Sequence, residues 1–312
     1  MSMVVAIGPS SFADSDPEPL RLLEAAGVTV KPNPFKRRLT EAEIIEHLQG
    51  VDGLIAGLEP LNARVLESSA PRLKAIARVG IGVSNVDFDA AAAKGVKVSS
   101  TPEPPAAAVA ELTMAALLAI TRRLLPINAA MHEQKWPKEI SFSLDGATAL
   151  VIGYGRIGAK MANLLRAFGT RVLVHDPALD GVHLPEGLTC CELEEGLAQA
   201  DIVSLHASGD RVILDTEQFA VMKRGAILLN GARGELVSQS ALVVALENAT
   251  VSGGWFDAFW EEPYSGVLCQ YPQMLLTPHV GTYTTRCRLV METQAVRNLL
   301  RDLELPYTES PA

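Results

Sequence analysis

Cations are in short supply in this chain: 27 Lys and Arg stand against 36 Asp and Glu, a net charge of −9. Nucleic acid and acidic membrane surfaces both demand clustered cations, so the composition supports neither as a partner. The one tight basic cluster, Lys36-Arg37-Arg38, runs into "LTEAE", where Thr40 and Glu43 have capping-box spacing, and reads as surface flanking a helix start. Cysteine is equally sparse. Cys190, Cys191, Cys269 and Cys287 follow neither a disulfide framework nor a metal-ligand spacing, which argues against a stapled secreted fold and a metal site and favours a reduced, cytoplasmic setting. Long apolar runs are missing too. The longest, "AAAVAELTMAALLAI" at 106–120, is interrupted by Glu111 and too short to span a bilayer, so it reads as a helix buried on most sides. The opening "MSMVVAIGPS" has no positive n-region, and no signal peptide is expected.

What remains is a well-packed α/β chain. Hydrophobic residues make up 48% of 312, long enough for two domains. Short β-branched runs alternate with helical patterns throughout, the signature of parallel α/β layers. "VVAIG", "VTV", "GLIAG", "LKAIAR" and "VKVSS" are the first five strand candidates, with helices "EPLRLLEAAG" and "TEAEIIEHLQG" closed by Gly27 and Gly50. After a helix beginning near Pro104 and Pro105 the pattern restarts with "ATALVIG", "RVLVHD", "DIVSLHA", "GAILLNGA", "VSGGWFDAF" and "MLLTPH".

One turn in the second series has a chemistry of its own. "LVIGYGRIGAKMANLL" reads strand, Gly153-Tyr154-Gly155-Arg156-Ile157-Gly158, helix. Gly153 allows the tight turn, Gly155 lets a pyrophosphate approach the backbone, and Gly158 lets helix and strand pack closely. The helix N-terminus then offers N–H groups and positive dipole to phosphate. Asp176 follows 18 residues after Gly158, placed to accept from ribose hydroxyls, with no arginine close behind it for a 2′-phosphate; NAD is therefore preferred over NADP. Because the fingerprint begins only at residue 153, a substrate-side domain must precede it. The final helix, about 286–303, is a candidate to return to that first domain.

Three later strand ends carry ionisable groups: Arg233 in "ILLNGARGELV", Asp257, Glu261 and Glu262 in "GGWFDAFWEEPY", and His279 in "LLTPHVG". Singly, each is a surface or turn residue as readily as a functional one. Together, at the carboxyl ends of successive strands behind a dinucleotide turn, they would converge on one crevice.

In this order the chain resembles the D-isomer-specific 2-hydroxyacid dehydrogenase family over nearly its whole length. "LKAIARVGIGVSNVD" is similar to the family's substrate-side loop and "VAELTMAALLA" to its linking helix. "ALVIGYGRIG", "ADIVSLHA", "MKRGAILLNGARGELV", "FDAFWEEP" and "LLTPHVG" match its ordered downstream motifs, and the 29-residue step from Arg233 selects Glu262 over Glu261. Phosphoglycerate dehydrogenases lacking a regulatory C-terminal domain are the nearest look-alikes. The resemblance implies two doubly wound parallel-sheet domains: a flavodoxin-like substrate domain at 1–100 and 285–312, and a Rossmann NAD-binding domain inserted at 101–284. It also implies hydride transfer between the nicotinamide and C2 of a 2-hydroxy or 2-keto acid. His279 would be the acid/base, Glu262 its ion-pair partner, and Arg233 the carboxylate clamp.

Carried over likewise, backbone N–H groups near Gly57, Val79 and Gly80 would contact the substrate. Ile81, Gly153, Gly155, Arg156, Ile157, Gly158, Asp176, His206, Ala207, Gly231, Ala232, Asp257 and Gly281 would line the cofactor, His206 having a structural role as its alternative. No metal site is expected, and the apolar helix at about 104–124 fits a helix-mediated homodimer. The chain departs from the family pattern at Glu103-Pro104-Pro105, at Ser84, in a shortened "ASGDRVILD", at Gly231 where threonine or valine is common, and at Thr282-Tyr283. These departures leave the substrate open between 3-phosphoglycerate and glyoxylate or hydroxypyruvate, with Lys36 to Arg38 or Arg78 as phosphate candidates. A second class of function, an NADH-binding sensor or co-regulator without turnover, fits the same scaffold.

Overall fold

Runs such as Leu54-Ile55-Ala56 and Leu228-Leu229 have apolar side chains on both sides of an extended backbone, so their strands need cover on both faces, and parallel sheets provide it. The computed structural model describes residues 2–69, 72–179 and 184–307; the outermost ends of the expected first domain, residue 1 and residues 308–312, lie outside them. The chain divides into two units, Met1–Pro105 with Thr282–Ala312, and Ala106–Gly281.

In the first unit, β1 (Val4–Ile7), β2 (Thr29–Lys31), β3 (Gly53–Ala56), β4 (Ala75–Arg78) and β5 (Lys97–Ser100) form a parallel sheet ordered β2-β1-β3-β4-β5. That is the flavodoxin-like order. Every residue of β3 and β4 is buried. Leu54 and Ile76 lie in one core with Ile44, Leu48, Leu61 and Leu66 from the crossover segments. The capping box before the helix Glu41–His47 is present, Thr40 accepting from the Glu43 N–H and Glu43 from the Thr40 N–H. The long helix Thr285–Asp302 packs against β3, β4 and β5, burying Met291, Val296, Leu299 and Leu300.

In the second unit, β6 (Thr148–Ile152), β7 (Arg171–His175), β8 (Leu188–Cys190), β9 (Ile202–Leu205), β10 (Ala226–Asn230), β11 (Val251–Phe256) and β12 (Met274–Leu276) are all parallel, ordered β12-β11-β10-β9-β6-β7-β8. This is the Rossmann order with a strand added beyond β11, and the order reverses between β6 and β9. Alternate residues feed two cores. Leu150, Ile152, Leu228 and Phe256 lie in one; Ala149, Val151, Leu229 and Trp255 lie in the other.

Two features differ from the expected elements. β8 is an additional edge strand of three residues. The apolar helix expected at about 104–124 is Pro105–Thr121, and a second helix not expected, Leu124–His132, follows it past Arg123 at φ +51°. The first exposes only Ala107, Glu111 and Ala115, an i, i+4, i+8 stripe. The surplus apolar surface expected there lies further on: Leu124, Leu125, Met131, Trp136, Ile140 and Phe142 are all exposed. Among the described residues, no helix is long and apolar enough to cross a membrane.

Candidate active site

The dinucleotide turn sits at the point where the strand order reverses. Gly153 has φ +90°, and a Cβ there would stand 2.5 Å from the Ala207 nitrogen after β9, so only glycine closes the two strand ends together. Gly155 is the N-cap of the helix Arg156–Ala167; among the described residues no side chain caps that helix, and nothing occupies the space where its Cβ would project. A Cβ on Gly158 would lie 1.9 Å from the Gly153 carbonyl oxygen. Asp176, just past β7, accepts from the Tyr154 N–H at 2.7 Å and the Ala178 N–H at 2.9 Å, so the acid that would meet a ribose also shapes the glycine turn. Arg156 is exposed beside Gly155, and Ile157 is half-buried in the first turn.

His206 follows β9. Its Nε2 lies 2.8 Å from Ser204 Oγ, while Nδ1 is buried without a protein partner among the described residues. Burial holds the imidazole down to about 4, so it is neutral near pH 7. The uncapped helix, the open space over Gly155 and this orphaned ring nitrogen fit a bound dinucleotide. Among the described residues no cluster of His, Cys, Asp or Glu could hold a metal ion.

Arg233, Glu262 and His279 meet at the carboxyl ends of β10, β11 and β12. Asn230, fully buried at the end of β10, donates from Nδ2 to the Arg233 carbonyl at 2.8 Å and accepts from the Ala232 N–H at 3.1 Å, turning the chain back under the arginine. Gly231 and Ala232 form the floor of that turn, and Arg233 Nη1 donates to the Ala232 carbonyl at 2.7 Å. A Cβ on Gly234 would stand 2.2 Å from the Phe259 carbonyl carbon, so glycine lets the arginine turn lie directly on the segment that carries Glu262. Aromatic contacts brace that segment, with Phe259 stacked on Tyr264 at 4.4 Å and the Trp260 Nε1–H donating to the Val237 carbonyl at 2.8 Å.

Both Glu262 oxygens lie 2.9 Å from His279 Nδ1, and the Phe259 N–H donates to Oε1 at 3.2 Å. Burial pushes the Glu262 carboxyl up, but the His279 bond and charge, the Phe259 N–H and the Arg233 charge together outweigh it, and the net shift is downward. His279 itself has φ +54°. Asp257, expected against the cofactor, accepts within the protein from the Thr277 hydroxyl at 2.6 Å, the Val280 N–H at 2.9 Å and the Gly281 N–H at 2.8 Å, tying down the turn on either side of the histidine.

The substrate-side residues belong to the first unit. There the Gly57 N–H donates to Glu59 Oε1 at 2.9 Å, the Val79 N–H to the Ala56 carbonyl at 2.9 Å, and the Gly80 N–H to Thr101 Oγ1 at 2.8 Å. All three N–H groups expected to reach a substrate carboxylate thus have an acceptor within their own unit. Glu59 is 1% exposed, and burial raises its carboxyl above the usual range. Ile81 is exposed. Of the phosphate candidates, Arg37 pairs with Glu43 at 2.6 Å, Arg78 is buried and donates to the Val79 carbonyl, and Lys36 and Arg38 are exposed.

The family model for the NAD binding domain of D-isomer specific 2-hydroxyacid dehydrogenases matches residues 114–281. The chain belongs to the D-isomer-specific 2-hydroxyacid dehydrogenase family. It is 36% identical over 243 residues to the D-3-phosphoglycerate dehydrogenase of Mycobacterium tuberculosis, covering 75% of this chain and 46% of that protein. It therefore spans about half the length of the phosphoglycerate dehydrogenases it matches. To the glyoxylate reductase of Thermococcus litoralis it is 30% identical over 271 residues, 82% of each chain. Among solved structures, the TT0316 protein from Thermus thermophilus superposes with a TM-score of 0.87 at 35% identity over 97% of both chains. A glyoxylate reductase from Paecilomyes thermophila does so at 0.83 and 26% over 98% of both.

Asn230, Gly234 and Thr277 hold this family's ionisable groups in place here, yet none stands out in the sequence. The signal for each is only adjacency: a buried amide ending an apolar strand, a glycine after an arginine, a threonine before Pro-His.

Glu262 has a pH signature. Its folded value is lowered, so its stabilising contribution is complete above its ordinary value of 4.5 and disappears as the pH falls through the lowered one. Urea midpoints measured from pH 6 to 3 should fall less steeply for Glu262→Gln than for wild type; equal slopes would mean that Glu262 is not held down by its neighbours.

Proposed function

We propose that this chain is an NAD-dependent oxidoreductase acting at C2 of a small D-2-hydroxy or 2-keto acid. The carrying observation is the two-oxygen contact of Glu262 with His279 Nδ1. An imidazole whose Nδ1–H is directed at a carboxylate has Nε2 left to exchange a proton. In oxidation His279 takes the proton from the substrate hydroxyl, and Glu262 stabilises the imidazolium that forms. In reduction the same proton returns to the C2 oxygen. Arg233 holds the substrate carboxylate with its planar fork and polarises the C2 oxygen. Bound NAD supplies the hydride acceptor or donor. The glycine turn at 153–158 holds its pyrophosphate and Asp176 its adenosine ribose, with Ala207, Gly231, Ala232 and Ile81 as further contacts.

Backbone N–H groups near Gly57, Val79 and Gly80 remain our proposed contacts to the substrate carboxylate, which would compete for these donors with Glu59, the Ala56 carbonyl and Thr101. With Arg37 paired to Glu43 and Arg78 turned onto the Val79 carbonyl, we rank glyoxylate and hydroxypyruvate ahead of a phosphorylated substrate. Four free cysteines support a reducing, cytoplasmic setting. The exposed Leu124, Leu125, Met131, Trp136, Ile140 and Phe142 support a homodimer formed through this stretch.

His279→Ala should lose on the order of 10² to 10⁴ in turnover, while NADH still binds. The assay is NADH oxidation with glyoxylate, hydroxypyruvate, pyruvate, 2-ketoglutarate and 3-phosphohydroxypyruvate. Wild-type protein that binds NADH yet turns over none of these is a sensor rather than an enzyme. For the dimer, sedimentation of Ile140→Asp should give the monomer at concentrations where wild type is dimeric. Identical sedimentation of the two proteins removes this surface from the interface.

A further inference from the structure

We propose that Trp255 is a positioning residue for His279, acting through Thr277 and Asp257; this rests on the acid/base reading of His279. Among the described residues the histidine is one of seven non-glycine residues with positive φ, at +54°. A conformation of that kind persists only where its surroundings over-determine it. Asp257, 3% exposed, supplies most of the restraint, accepting from the Val280 N–H and the Thr277 hydroxyl at Oδ1 and from the Gly281 N–H at Oδ2.

The Thr277 hydroxyl has a second partner. The fully buried Trp255 donates from Nε1 to Thr277 Oγ1 at 2.9 Å. Indole N–H is a donor only and an ionised carboxylate an acceptor only, whereas a hydroxyl has one proton to give. The polarity of the chain follows: Trp255 donates to Thr277, and Thr277 must direct its single proton to Asp257. The indole thereby fixes the direction of the bond at the start of the histidine turn. Chains of this kind polarise one another and strengthen as a unit in a dry interior.

Gly231 explains how so large a ring fits. A Cβ at residue 231 would lie 2.9 Å from Trp255 Cη2 and 3.0 Å from Cζ3. The departure from threonine or valine at 231 is therefore the space that Trp255 occupies. Register places Trp255 beside Leu229 of β10 and Leu275 of β12. One indole thus packs under the turn leading to Arg233 and hydrogen-bonds the turn leading to His279.

The experiment compares Thr277→Val, Thr277→Ser, Trp255→Phe and His279→Asn in steady-state turnover of the best 2-keto acid, together with NADH affinity by fluorescence and thermal unfolding. Thr277→Val should lower kcat between about tenfold and a hundredfold, with NADH affinity within about twofold of wild type. Thr277→Ser, which keeps the hydroxyl, should restore kcat. Trp255→Phe keeps most of the bulk without the donor and should lower kcat in the same way by a smaller factor. If Thr277→Val does not fold, Trp255→Phe decides. Wild-type kcat in Trp255→Phe and Thr277→Val, with His279→Asn inactive, overturns the relay and leaves the acid/base reading standing. A lowered melting temperature with kcat intact also overturns it, since the residues would then be structural only. Turnover by His279→Asn overturns the reading beneath, and the relay with it.

Discussion

The contact between His279 Nδ1 and the two Glu262 oxygens, 2.9 Å each, is the constraint around which the second unit's strand ends are arranged. It requires the histidine to leave β12 through a left-handed residue, and the aspartate at 257 ties down the residues on both sides of that turn. It also requires the Glu262 segment to lie against the arginine turn, which Gly234 permits by having no Cβ. The positive charge of Arg233 then helps to keep the glutamate ionised. Each of these features is unfavourable alone: a positive φ, a buried carboxylate, a half-buried guanidinium. They are tolerable because each satisfies another.

The dinucleotide turn is built in the same way. Asp176, our proposed ribose ligand, already holds the Tyr154 and Ala178 N–H groups with its two oxygens. Carboxylates keep lone pairs beyond two donors, so shaping the loop and binding the nucleotide are compatible duties. His206 is neutral by burial rather than by pairing, which leaves it a polar but uncharged neighbour of the glycine turn.

Much of this was legible in the residues. Eleven of the strands are short β-branched or aliphatic runs, and their parallel arrangement follows from apolar faces on both sides. The glycine fingerprint stands out because its physics is local: a turn, a strand and a helix within sixteen residues. β8 was not legible, since three residues at a sheet edge, Leu188-Thr189-Cys190, have no periodicity to detect. Nor was the break at Arg123, a left-handed residue with no glycine to announce it. The engagements of the Gly57, Val79 and Gly80 N–H groups depend on Glu59, Ala56 and Thr101, and motif similarity says nothing about which acceptor a backbone donor finds. Asp257 shows the same limit. Its carboxylate is turned to the histidine loop by partners 20 to 24 residues away.

The central claim is that hydride moves between a nicotinamide and C2 of a small acid at this site, and an isotope label tests it most directly. The protein would be incubated with NADH deuterated at C4 and with glyoxylate or hydroxypyruvate, and the products read by mass spectrometry and NMR. The predicted result is one deuterium at C2 of the hydroxy acid, with the D configuration in the glycerate formed from hydroxypyruvate. Hydroxy acid formed without deuterium from either C4 position, or glycerate of the L configuration, would contradict it.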